Sequence, residues 1–131
     1  MTDNREIQVT DIKGISIGHA SNQDAGTGVT VLYFPNGAKA GCDISGGGPA
    51  SRETPLTSSL TADNPINAIV LSGGSAYGLA ASDGVMTCLE EHGIGYPTGL
   101  ALVPLVCQSC IYDLGYKLSL IHISEPTRLG M

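Results

Sequence analysis

Tryptophan is absent from this 131-residue chain and phenylalanine occurs once. The core must therefore be built from aliphatic side chains. Basic residues are also scarce, six Lys and Arg against twelve Asp and Glu, for a formal net charge of −6. The six are scattered, so no basic stripe exists to follow a phosphate backbone, which argues against nucleic acid as a partner. No apolar run approaches the ~18 residues of a membrane span. The polar start, Met1-Thr-Asp-Asn-Arg-Glu6, lacks the basic-then-apolar order of a signal peptide. These absences point to a soluble, cytoplasmic protein without a membrane partner. In that compartment Cys42, Cys88, Cys107 and Cys110 read as reduced thiols rather than a disulfide framework. No repeat or linker interrupts the chain, and its length is that of one domain or part of one.

Glycine is plentiful, at 18 residues. The most informative stretch runs from Ala68 to Gly84. The apolar run Ala68-Ile-Val-Leu71 meets a Ser72-Gly-Gly-Ser75 turn, and a helical pattern with Leu79, Met86 and Leu89 follows. Buried strand, glycine turn and helix start imply an α/β fold. The helix is expected to end at Glu90-Glu-His-Gly93, with Gly93 as the left-handed residue after its C-terminus. Earlier, residues 7–9, 15–17 and 29–34 read as strands. Asn36-Gly37 is a hairpin signal, so residues 39–44 are the expected partner strand of 29–34. Residues 58–63 read as a short helical piece. Residues 96–97, 103–106 and 111–114 read as extended.

Three roles are open to Ser75. A nucleophile elbow needs G-x-S-x-G around the serine, but here the glycines are Gly73 and Gly78, one residue late. His19 and His92 form no evident triad with it, and His92 suits a solvated helix C-terminus. A phosphate cradle would need G-x-G-x-x-G or a P-loop lysine, and neither is present. Capping of the following helix is the expected role. The Gly46-Gly47-Gly48 loop permits close backbone approach, and Arg52 and Glu53 beside it either meet a substrate or hold the loop. Cys107-Gln-Ser-Cys110 has redox spacing, yet it lies in an apolar run where buried structural thiols are expected. A lone pair is weak for zinc. No metal and no cofactor is expected. Self-processing hydrolases cut before Ser, Thr or Cys; Gly74-Ser75, Gly26-Thr27 and Gly41-Cys42 are all poor sites. Residues 118–131, beginning Leu-Ser-Leu-Ile-His-Ile-Ser-Glu-Pro-Thr-Arg, resemble an in-frame translation of a sequencing-library adapter. The chain is accordingly divided into residues 1–117 and a non-native tail, 118–131.

Several segments resemble the DmpA-type aminopeptidase family, which includes L-aminopeptidase/D-esterases and β-peptidyl aminopeptidases. They are Ile12-Lys-Gly-Ile-Ser-Ile-Gly-His-Ala20, Gly26-Thr-Gly-Val-Thr30, Gly46-Gly-Gly-Pro-Ala-Ser-Arg-Glu-Thr54, Asn67 to Leu79, Asp83-Gly-Val-Met86, Gly93-Ile-Gly-Tyr-Pro97 and Val103-Pro-Leu-Val106. The resemblance implies part of a four-layer αββα sandwich of the DmpA / ornithine-acetyltransferase type. It implies a self-processing serine-type hydrolase that removes N-terminal residues from peptides, amides or esters. The nucleophile would lie downstream of Lys117, so residues 1–117 would be the front of the α chain, inactive alone, completed by its own β chain and a homo-oligomer. Tyr112, before Asp113, matches a tyrosine that polarises the substrate carbonyl, while Gly47, Gly48, Arg52 and Glu53 would contact substrate. Cys110 stands where some members carry an acidic residue for the substrate amine, a departure that leaves β-peptide specificity unsupported. An ornithine acetyltransferase-like fragment and a non-catalytic nucleotide-binding module are the alternatives.

Overall fold

A computed structural model describes residues 4–117. The tail division at residue 118 and the adapter resemblance lie outside the described residues. Among the described residues the fold is mixed α/β: a five-stranded sheet, a two-stranded hairpin and one α-helix. The strands are β1 (Ser16–Asn22), β2 (Thr27–Ala38), β3 (Ser51–Arg52), β4 (Ile66–Ser72), β5 (Tyr96–Pro97), β6 (Leu102–Val103) and β7 (Val106–Cys110). The large sheet has the order β1-β2-β4-β7-β3, and β5 pairs with β6. β1, β2 and β4 run antiparallel in turn, β4 and β7 are parallel, and β3 returns antiparallel to β7.

The parallel pair is possible because α1 (Ala81–Glu91) makes the crossover between β4 and β7. α1 buries Ser82, Val85 and Leu89, a spacing of three and four that places them on one face. That face packs on Val31, Ala68, Val70 and Val106 from three adjacent strands. β4 alternates in burial: Ile66, Ala68, Val70 and Ser72 are buried under the helix, whereas Leu71 on the other face is 46 % exposed. Among the described residues only the helix side of β4 is closed. Leu89→Ala removes a side chain that is 1 % exposed. It is expected to cost about 2–4 kcal/mol, read as a lower urea midpoint with unchanged slope.

Several local expectations are corrected. Asn36-Gly37 makes no hairpin. β2 continues to Ala38, with its register shifting between Tyr33 and Ala38, and its partner is β4 rather than residues 39–44. Gly37 takes the shift at φ 71°, with Pro65 beneath it. Residues 7–9 form no strand; a 3-10 helix covers Val9–Asp11. The helical piece expected at 58–63 lies earlier, as the 3-10 helix Thr54–Thr57. The extended stretch 103–106 divides between β6 and β7, and residues 111–114 form no strand. His92 ends α1 as expected, its Nδ1 2.7 Å from the Cys88 carbonyl oxygen.

Candidate functional site at the ends of the parallel strands

In open α/β sheets ligands gather beyond the carboxyl ends of parallel strands. Here β4 and β7 end together at Ser72 and Cys110, and two adjoining clefts of about 430 and 320 Å³ open there. They share Ser21, Gly28, Gly73 and Ile111. The sheet register brings His19, Thr30, Leu71, Ser109 and Ser51 into one row across all five strands. His19, Thr30, Leu71 and Ser109 line the larger cleft. His19 Nδ1 lies 2.8 Å from Thr30 Oγ1.

The floor is the Ser72-Gly73-Gly74-Ser75 turn. The N–H groups of Gly73, Gly74 and Ser75 are all used within the protein. Gly73 N–H donates to the Gly28 carbonyl at 3.1 Å, and Ser75 N–H donates to Ile111 O at 2.9 Å. Gly74 N–H donates to Asp113 Oδ1 at 2.6 Å. Asp113 therefore sits where a bound anion would sit, which weakens the nucleotide-binding alternative. The same occupancy leaves Ser75 without the free N–H groups that an oxyanion needs.

Ser75 is not the helix cap it was expected to be. A 3-10 helix, Ser75–Ala80, precedes α1, and its N-cap is Gly74 at φ 93°, with no side-chain cap. Ala80 precedes α1 and likewise caps nothing with its side chain. Ser75 itself has φ 53°, a left-handed value that costs a non-glycine residue about 1 kcal/mol or more. The Ile111 carbonyl holds it there.

Behind the turn lies a polar cluster that the sequence reading missed. Gln108, 2 % exposed, donates from Nε2 to Ser72 Oγ at 2.8 Å and to the Gly78 carbonyl at 2.6 Å. Its Oε1 accepts the hydroxyl of Ser82, which is fully buried. Cys110 Sγ completes the group, 3.2 Å from Ser72 Oγ. The available signal was parity: in β7, Gln108 alternates with the rest so as to share the helix face with Val106. Two residues apart on a strand share a face; three apart do not.

The expected site residues are spread out. Tyr112 lies between Ile111 and Asp113 in the chain, both of which line a cleft, and is itself 81 % exposed. Gly47 and Gly48 lie in the exposed 39–50 segment, and a Cβ on either would meet nothing within 4 Å. Arg52 is committed to α1: Nη1 pairs with Asp83 Oδ1 at 2.5 Å, and Nη2 lies 3.2 Å from Met86 Sδ. Glu53 has φ 58° and leads the Thr54–Thr57 helix. None of these five lines either cleft. No cysteine is fully buried: Cys42 is exposed and the other three are half-buried, all as free thiols. Among the described residues no three His, Cys, Asp or Glu converge as a metal site requires. Nor is any helix there long and apolar enough to cross a membrane.

Comparison with known proteins supplies what the geometry does not. An uncharacterized aminopeptidase of Mycobacterium tuberculosis is 41 % identical over 114 residues, covering 81 % of this chain and 33 % of that protein. Its Mycobacterium leprae counterpart is 42 % identical, covering 81 % of this chain and 32 % of that protein. A 6-aminohexanoate-oligomer endohydrolase of Agromyces is 35 % identical over 119 residues, covering 90 % of this chain and 31 % of that protein. The chain thus spans about a third of the length of the curated relatives it matches. These names indicate a peptidase-type hydrolase. The profile of peptidase family S58 matches residues 8–127, and the chain therefore belongs to that family.

Proposed function

We propose that this chain is the front part of the α chain of a self-processing, serine-type aminopeptidase that acts on peptides, amides or esters. The observation that carries this reading is the family match over residues 8–127. The relatives' names, aminopeptidase and 6-aminohexanoate-oligomer endohydrolase, share cleavage of an amide bond. The nucleophile belongs to the part of the relatives that this chain does not span. There a serine at a new N-terminus attacks the substrate carbonyl, and its own α-amine takes the hydroxyl proton and passes it to the leaving amine. Water then releases the acyl group.

On this reading the clefts at the ends of β4 and β7 form one wall of the substrate site. Tyr112, next in sequence to cleft-lining Ile111, would polarise the carbonyl, and Gly47, Gly48, Arg52 and Glu53 would contact the substrate. Ile17, Leu32, Ile69 and Leu71 share the sheet face away from α1. That half-open apolar face is suited to a second sheet, giving the αββα layers. A cytoplasmic homo-oligomer is the proposed assembly. The ornithine acetyltransferase reading gains no support from the relatives' names.

The test compares two chains. The 131-residue chain is expected to hydrolyse no aminoacyl anilide. A chain extended to the relatives' length is expected to split in two and turn the anilide over. In that longer chain Tyr112→Phe should lower kcat by roughly 10²-fold with little change in KM. An extended chain that stays whole and inactive would sink the proposal. So would turnover by the short chain that disappears with Ser75→Ala.

A further inference from the structure

The C-x-x-C spacing of Cys107 and Cys110 suggests a redox pair, but the strand separates them. Both lie in β7, and positions three apart on a strand face opposite ways. Cys110 Sγ meets Ser72 Oγ and the Gln108 amide on the helix side. Cys107 faces the other side, in register with Ile69. Its sulfur contacts the Glu53 carbonyl oxygen at 3.6 Å. The next carbonyl along, that of Thr54, is 4.0 Å from Cys42 Sγ, which also lies 2.9 Å from Thr57 Oγ1. Two thiols distant in sequence thus converge on the Glu53–Thr54 turn. That turn is positioned by β3, whose Arg52 pairs with Gln108 beside Cys107.

We propose that Cys42 and Cys107 are the thiol pair of this protein, closed into an intramolecular bridge by low-molecular-weight disulfides. The chemistry proceeds in two exchanges. The exposed Cys42 thiolate attacks one sulfur of glutathione disulfide, forming a mixed disulfide and releasing one glutathione thiol. Cys107 then loses its proton to solvent and attacks Cys42 Sγ, expelling the second glutathione. Two protein thiols are oxidised and one glutathione disulfide is reduced to two thiols. The order follows from access. Burial pushes the Cys107 thiol up, and the negative charges of Glu53 and Cys42 push the same way, so it stays protonated and resolves second. The bridge would tie the irregular 39–50 segment, with its glycine loop, to β7.

The experiment uses the full 131-residue chain at low concentration with glutathione disulfide, followed by intact mass and peptide mapping. The unaltered chain and the Cys88→Ser/Cys110→Ser chain are both expected to lose two hydrogens and to yield a peptide joining Cys42 to Cys107. In Cys42→Ser, Cys107 is expected to remain outside any bridge. In guanidinium the preference for this pair should vanish, because it depends on the fold. Retained glutathione on Cys42, a dominant Cys107–Cys110 bridge, a covalent dimer, or the same pairing persisting in guanidinium would each overturn the proposal.

Discussion

Gly78→Ala is expected to destabilise the protein by about 3 kcal/mol or more, one of the two largest effects predicted for a single substitution here. A Cβ at this position would run into the Gly73 carbonyl oxygen and come within 2.9 Å of Ser72 Oγ. The obstacle is backbone, so no rotamer change relieves it. Gly73→Ala makes the useful comparison. Its Cβ would meet the Asp113 carboxylate, and Thr27 Oγ1 at 2.7 Å, both of them side-chain atoms. Asp113 can swing away at the cost of its bond to Gly74, about 1–3 kcal/mol. Gly48→Ala, with nothing within 4 Å, should stay within about 0.5 kcal/mol. Urea unfolding of the three variants checks the order Gly78, Gly73, Gly48. Equal losses for Gly78 and Gly48 would refute the steric account.

Gln108→Leu should cost a similar amount, about 3 kcal/mol, for a different reason. The change preserves bulk but strands the Ser82 hydroxyl, and it takes from the Gly78 carbonyl its 2.6 Å donor, leaving it the Ala81 N–H and the 3.3 Å contact from Ser72. Buried polar groups without partners cost about 1–3 kcal/mol each. Adding Ser82→Ala removes one stranded group, so the double variant is expected to regain part of the loss. A double variant no more stable than Gln108→Leu alone would contradict this. With stability in the usual range of about 5–15 kcal/mol, either glycine or glutamine variant consumes a large share of it.

The central unit was legible in the sequence because its signals are local. The run Ala68 to Leu71, the glycines after it and the helical pattern of Leu79, Met86 and Leu89 are read within one stretch of chain; β4 forms there, and α1 follows after a 3-10 helix, burying Leu89 with Ser82 and Val85 while Met86 stays half-buried. Asn36-Gly37 was misread for the opposite reason. The dipeptide signals a local hairpin, but β2 finds a better partner in β4, beyond an intervening segment, and Gly37 merely absorbs a register shift. Ser75 looked like a cap because serine before a helix usually is one; Gly74 and the Ile111 carbonyl impose a different backbone there. Gln108 and the Cys42–Cys107 convergence depend on which strands become neighbours. Tyr112 entered through resemblance alone, as composition gives an exposed tyrosine no role.

The sheet also has two very different margins. On one side it finishes in β3, two residues long, too short to template another strand. On the other it finishes in β1, a seven-residue strand from Ser16 to Asn22. Among the described residues nothing pairs with the outer row of β1 amides and carbonyls. The β1 margin thus has the length to accept another strand, which the two-residue β3 margin lacks.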